Sequence, residues 1–131
     1  MSAKLVVLVT CSSEREAERI ARALVEERLA ACVNVGRAVR SVYRWKGKVE
    51  RAREVPLVIK SSKAVFRRLE ERVKELHGYE TPEIIGLPIV AGSREYLDWV
   101  GASMGREEKN LRRRGMRRGR FQGRDVSLRS T

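Results

Sequence analysis

The feature that narrows the possible folds most is a long stretch without helical periodicity, residues 31–60, lying between two amphipathic helix patterns. Within it Val39, Tyr43 and Trp45 alternate with Arg40 and Arg44, the two-residue period of a strand. Lys46-Gly47 supplies a turn, since glycine takes the positive φ that tight hairpins require, and residues 49–60 run back. Both strands exceed the usual length of about five or six residues. Their distal halves therefore project past the core of a small domain. A projecting pair with Tyr43 and Trp45 on one side predicts a subunit interface, where aromatic residues are enriched. Residues 31–35 lead into this hairpin, with a bend or bulge at Gly36. Pro56 has no amide proton, which places it at an edge or a bulge.

The flanks complete the order. Residues 4–10, KLVVLVT, form a near-continuous β-branched run, the pattern of a strand covered on both faces. Ser13 and Glu16 have capping-box spacing. A helix follows to about residue 29, with Ala17, Ile20, Ala21, Leu24 and Val25 on one stripe. Glu16/Arg19 and Glu18/Arg22 fall at pairing distance on its solvated side. Ser62 can cap a second helix whose stripe is Val65, Leu69, Val73 and Leu76, ended by Gly78 as a C′ residue. Residues 83–90 form a last strand, at an edge because of Pro88, and residues 94–100 a short amphipathic helix. This β-α-β-β-α-β order predicts an α+β, ferredoxin-like fold. It has a four-stranded antiparallel sheet, a long hairpin between the second and third strands, and a short C-terminal helix.

Charge divides the chain. Residues 103–131 hold ten Arg or Lys against three acids, so this tail carries +7 of the net +12. Its sparse apolar residues cannot offset ordering entropy, and it is expected to be disordered beside a domain spanning residues 1–102. Its arginines could give weak, salt-sensitive contact with nucleic acid. No nucleotide-binding glycine loop, zinc-protease motif or nucleophile elbow occurs, so the expectation is a protein without catalysis. Cys11 and Cys32 lack CxxC spacing and are expected to be reduced. No segment has the length of a membrane span or the form of a signal peptide, and the expected location is the cytoplasm.

The one histidine, His77, lies between a helix end and the turn at Pro82. Neutral imidazole suits copper, zinc and nickel, and Glu83 could add an oxygen ligand across the turn. A histidine in a last helical turn equally complements the dipole and bonds terminal carbonyls. Cys11, just before the helix cap, is expected to be accessible, with its thiol pKa lowered by the helix N-terminus. Cys32, in a buried-strand context, reads as a small hydrophobe. Tyr79 and Glu83 serve equally as turn or interface hydrogen-bonding groups.

The segments LVTCSSEREAERIARALVEERLAACVNV, SVYRWKGKVE, VIKSS, HGYETPEIIGLPI and EYLDWV resemble the divalent-cation tolerance (CutA) family, in order across residues 4–103. The resemblance implies a ferredoxin-like domain and a tight homotrimer similar to that of the PII signalling proteins, the long hairpin reaching a neighbouring subunit. It implies binding of copper or another divalent cation, with His77 as a ligand. A cysteine carried by some members aligns with Val9, and a second histidine with Leu76, so this chain lacks both. The expectation is a homotrimer holding a divalent cation at His77, completed by Cys11, Glu83 and a neighbour's residues. One alternative is a PII-like trimer sensing a small anion, with Lys60 or arginines as contacts. Another is a trimer associated with nucleic acid through its tails.

Overall fold

The computed structural model describes residues 3–104. Helix α1 (Glu14–Glu26) starts as its sequence requires, with Ser13 extended and its hydroxyl accepting the Glu16 amide at 3.1 Å. That bond satisfies one of the free donors of a first turn. Ala17, Ile20, Ala21 and Leu24 are buried along its inner stripe. The helix stops earlier than expected because Arg28 adopts a left-handed φ of 60°. The amides of Leu29 and Ala30 then turn back onto the Leu24 carbonyl.

Strand β1 (Lys4–Cys11) precedes this helix and β2 (Cys32–Val35) follows it. Strand β3 (Val39–Trp45) is joined to β4 (Lys48–Ser62) by Lys46 and Gly47, with φ of 50° and 83°. Two consecutive positive φ values make the type I′ turn that matches strand twist. The sheet order is β2-β4-β1-β5, with β5 at Ile84–Pro88 and every pair antiparallel. The expected second strand is therefore two pieces along one side of β4, β2 against residues 57–60 and β3 against residues 48–54. The break comes at Gly36, whose amide bonds the Pro56 carbonyl at 2.9 Å. A strand residue's carbonyl and amide point the same way, so the missing proton of Pro56 faces this break. Pro88 lies on the edge strand β5.

A single 3₁₀ turn (Lys63–Val65) leads into α2 (Phe66–Leu76), and Ser62 makes no side-chain cap bond. The helix ends on His77 in extended conformation. Gly78 is not left-handed, since Gly47 alone among the described glycines has a positive φ. Position 78 is tight for space instead: an added Cβ would lie 3.1 Å from Glu16 Oε2, which would have to give by a few tenths of an ångström.

Val7, Val9 and Cys11 alternate along β1 and face the helices, packing with Leu57, Ile59, Ile20, Leu24, Leu69 and Val73. The other face of the sheet carries Val6, Leu8, Val58, Ile85 and Leu87, because directly paired residues share a face. Val58, Ile85 and Leu87 are 37%, 47% and 46% exposed. Among the described residues, the strand expected to be covered on both faces is thus covered on one. Helix α3 (Arg94–Ala102) is capped by the Ser93 hydroxyl and buries Val100, and Met104 beyond it is also buried, two residues past the expected domain boundary. The disorder and nucleic-acid contact expected of the tail concern residues outside the described range. No helix among the described residues is long and apolar enough to cross a membrane.

Candidate functional site

Three segments meet where β1 ends. Cys11 is the last residue of β1, Glu16 lies in the first turn of α1, and His77 caps α2. The thiol sulfur, a carboxylate oxygen and a ring nitrogen lie within 4.8 Å of one another, and all three residues are buried. Ser12 and Ser13 make this possible by turning the chain from strand to helix in two residues, so the helix start stays against the strand end.

Both carboxylate oxygens and both ring nitrogens of the cluster are already engaged. Glu16 Oε1 accepts the Ser12 amide at 2.7 Å and the Ser12 hydroxyl at 3.0 Å, and Oε2 accepts the Gly78 amide at 2.8 Å. A capping box would return this carboxylate to the Ser13 amide. Here it bonds the residue before the cap and joins it to the far end of α2. His77 Nε2 donates to the Thr10 carbonyl at 2.7 Å, while Nδ1 accepts the Tyr79 amide at 3.0 Å. A carbonyl only accepts and an amide only donates, which fixes the Nε2–H tautomer. Nε2 also lies 3.7 Å from Glu16 Oε1. The Tyr79 ring packs on the imidazole at 4.8 Å between centroids, and its hydroxyl bonds Glu54.

These contacts set the charges. Burial works against ionised Glu16, but the amides of Ser12 and Gly78, the His77 ring and the Ser12 hydroxyl outweigh it and hold the carboxyl below its usual range. A lowered folded pKa contributes stability that is present above the unfolded pKa and lost as pH falls through the folded value. Cys11 goes the other way. Burial first, then the carboxylates of Glu16 and Glu54, push its thiol from 9.0 up to about 12. This corrects the expectation of an accessible, activated thiol: the residue is 0% exposed, and the acid in the first helical turn opposes the helix end. Cys11 should therefore resist iodoacetamide at pH 8 in the native chain and react once the chain is unfolded, as read by peptide mass mapping. Fast native alkylation would contradict the buried thiol. Burial and the bond to Glu54 likewise raise Tyr79 to about 12.

The other expected residues lie apart from the cluster. Glu83 is exposed and is not among the grouped ligands. Cys32 is buried, its sulfur 3.5 Å from the Tyr96 hydroxyl. Lys60 donates to Asn34 Oδ1. Tyr43 and Trp45 are 41% and 40% exposed on the β3–β4 arm, beside Lys46, which reaches Glu80 at 4.0 Å. Glu16 was missed as a site residue. Its capping-box position gave the signal, but spacing alone does not reveal which amides a carboxylate will reach.

Fold and cluster together define a small ferredoxin-like protein in which nitrogen, oxygen and sulfur donors are gathered at one end of the sheet. The family model described as CutA1 divalent ion tolerance protein matches residues 5–103. A curated relative from Thermus thermophilus, "Divalent-cation tolerance protein CutA", is 53% identical over 100 residues, 76% of this chain and 97% of that protein. "Protein CutA" of Homo sapiens is 47% identical over 92 residues, 70% of this chain and 51% of that one, so the match spans about half of the human protein. The solved structure of the Thermus thermophilus protein has a TM-score of 0.77 at 52% identity, covering 78% of this chain and 99% of that one. CutA1 from Oryza sativa has a TM-score of 0.78 at 39% identity, covering 80% and 96%. The chain belongs to the CutA1 divalent ion tolerance family.

Such a family raises the question of whether the cluster suits a cation. Its donor types do: imidazole, thiol and carboxylate together match a borderline ion such as copper or zinc. Their protonation is not ready for one. The ring nitrogen facing Glu16 carries the proton given to Thr10, and the Cys11 thiol keeps its own. The residues fit the ion only if the His77 proton moves from Nε2 to Nδ1, which gives up the Tyr79 amide bond, and the Cys11 thiol releases its own.

Proposed function

We propose that this chain serves divalent-cation tolerance as a homotrimer that binds a divalent cation, copper first among the candidates, through His77, Cys11 and Glu16. The observation that carries this reading is the convergence of one imidazole, one thiol and one carboxylate from three separate segments within 4.8 Å. The role is binding without turnover. Copper heads the candidates because it tops the affinity order for mixed nitrogen, sulfur and oxygen donors. When bound, the ion would supply positive charge to a pocket that otherwise holds one carboxylate. His77 would act as a neutral ligand with its proton on Nδ1, Cys11 as a ligand after deprotonation, Glu16 as the anionic partner, and Glu83 stays outside this set. The trimer is supported by the apolar sheet face, for which the described residues offer no cover, and by the projecting arm with Tyr43 and Trp45.

Calorimetric titration with Cu(II) tests the site. Intact protein is expected to bind at micromolar or tighter affinity, with binding lost in His77→Ala and weakened in the better-packed Cys11→Ser. Because the Cys11 thiol proton leaves on binding, affinity should rise about tenfold per pH unit below the thiol's raised pKa. Equal, weak binding by intact protein and both variants would remove the cation from this cluster.

A further inference from the structure

Tyr79 touches both the cluster and the root of the arm formed by β3 and residues 48–54 of β4. Its amide donates to His77 Nδ1 at 3.0 Å, and its ring packs on the imidazole with centroids 4.8 Å apart. Its hydroxyl donates to the carboxylate of Glu54. Glu54 pairs with Val39 where the arm begins, and the next residue, Val55, pairs with Cys11. Although it is an acid, Glu54 is only 7% exposed. A buried carboxylate depends on its hydrogen-bond donors, so the phenol of Tyr79 helps to hold this end of the arm. The residues on either side extend the connection. The Gly78 amide is tied to Glu16 at 2.8 Å, and Glu80 reaches Lys46 in the turn of the arm at 4.0 Å. Residues 77–80 thus run from the cluster to both ends of the arm.

The two attachments of Tyr79 cannot both survive a cation on His77. With Nε2 given to the cation, the proton of the neutral ring sits on Nδ1. Nδ1 and the Tyr79 amide are then two donors 3.0 Å apart with no acceptor between them. The backbone at Tyr79 has to withdraw, and the ring leaves the position that aims its hydroxyl at Glu54. An O–H···O bond spans about 2.5–3.0 Å and does not stretch to follow. We propose that Tyr79 is a positioning residue that ties cation binding to the arm: it holds His77 with Nε2 protonated and Glu54 bonded, and a cation on Nε2 releases Glu54. This inference rests on the cation reading of the cluster. Coupling between two sites is reciprocal. If a cation breaks the Tyr79–Glu54 bond, loss of that bond tightens cation binding by the same factor. The arm is thereby the output of the site, and the surface it offers to a neighbour depends on whether a cation is bound.

The test uses the full chain with Cu(II) as the probe and reads two quantities, affinity by calorimetry and amide hydrogen exchange over residues 39–54 by mass spectrometry. Tyr79→Phe removes the hydroxyl and keeps the ring and the amide. It is expected to bind Cu(II) about tenfold more tightly than the intact chain, within the usual range of coupling factors. In the intact chain Cu(II) is expected to speed exchange in the arm severalfold. In Tyr79→Phe the arm should exchange that fast without Cu(II) and respond little when it is added. Glu80→Gln, which removes only the exposed contact to Lys46, should behave as the intact chain does. Equal affinity in the intact chain and Tyr79→Phe, with exchange in the arm unchanged, would overturn the coupling and leave the cation site standing. Tighter binding by Tyr79→Phe without faster exchange would also overturn it, because the bared charge of Glu54 alone explains such a gain. An arm that still responds to Cu(II) in His77→Ala would place the response elsewhere and overturn it too. Binding by neither the intact chain nor Tyr79→Phe would remove the cation reading, and the coupling with it.

Discussion

Glu16→Ala is expected to destabilise the protein by about 3–5 kcal/mol, the usual loss when one partner of a buried charged network is removed. Three donors lose their acceptor together: the Ser12 amide, the Ser12 hydroxyl and the Gly78 amide. Buried donors left without partners cost more than the net value of the bonds they made. The helix start is weakened as well, because the carboxylate no longer complements the first-turn amides. Glu16→Gln keeps the shape but turns an amide group toward donors, so about half of the loss is expected. Glu18→Ala, exposed two residues later, should stay within about 0.5 kcal/mol. Urea unfolding at fixed protein concentration measures all three, since assembly adds to apparent stability. The lowered pKa gives a further signature: below the usual carboxylate range the intact protein should lose stability faster than Glu16→Ala, whose acid profile should be flatter. A neutral Glu16→Ala would mean the network ties nothing together.

The second large effect concerns the uncovered sheet face. Ile85→Asp places a carboxylate among Leu8, Val58 and Leu87. In a single subunit the site is 47% exposed, so the charge stays hydrated and the fold survives. In an assembly that covers this face, the same charge is buried without a partner, at several kcal/mol per copy. Sedimentation at micromolar concentration should therefore show a trimer for the intact chain and a monomer for the variant, with unchanged far-ultraviolet circular dichroism. A variant that remains trimeric would remove this face from the interface.

Most of the architecture could be read from local pattern because its determinants are local. The Ser13 cap, the stripe of Ala17, Ile20 and Leu24, and the Lys46-Gly47 turn each act within a few residues. What could not be read depends on contacts far apart in sequence. Glu16 was placed on the solvated side by its spacing to Arg19, yet its carboxylate meets Gly78, 62 positions away. Gly78 was assigned to left-handed helix termination, whereas its φ is not positive and what marks the position is the Glu16 carboxylate lying close against it. Cys11 was read from the helix after it, and its burial and two neighbouring acids decide its chemistry instead. His77 was singled out for its residue type, and the structure brings Cys11 beside it but leaves Glu83 outside. The doubly apolar β1 was informative in a different way, since its second apolar face has no cover in the described residues.

The length of β4 has a mechanical meaning. A strand of 15 residues spans ~50 Å, and from Leu57 to Lys60 it is gripped on both sides, by β1 and by β2. From Lys48 to Glu54 it is joined to β3 alone. The arm is thus a cantilever: clamped at its root, touched at its tip by the exposed Lys46–Glu80 contact at 4.0 Å, and without a hinge in the clamped strand. It can flex and twist but not swing, so its direction in space is set by the twist of the sheet when the subunit folds. A neighbour that meets the arm meets a surface whose bearing is fixed in advance, and a load applied at the tip is carried along one continuous backbone to Glu54 and Val55, beside Tyr79 and Cys11.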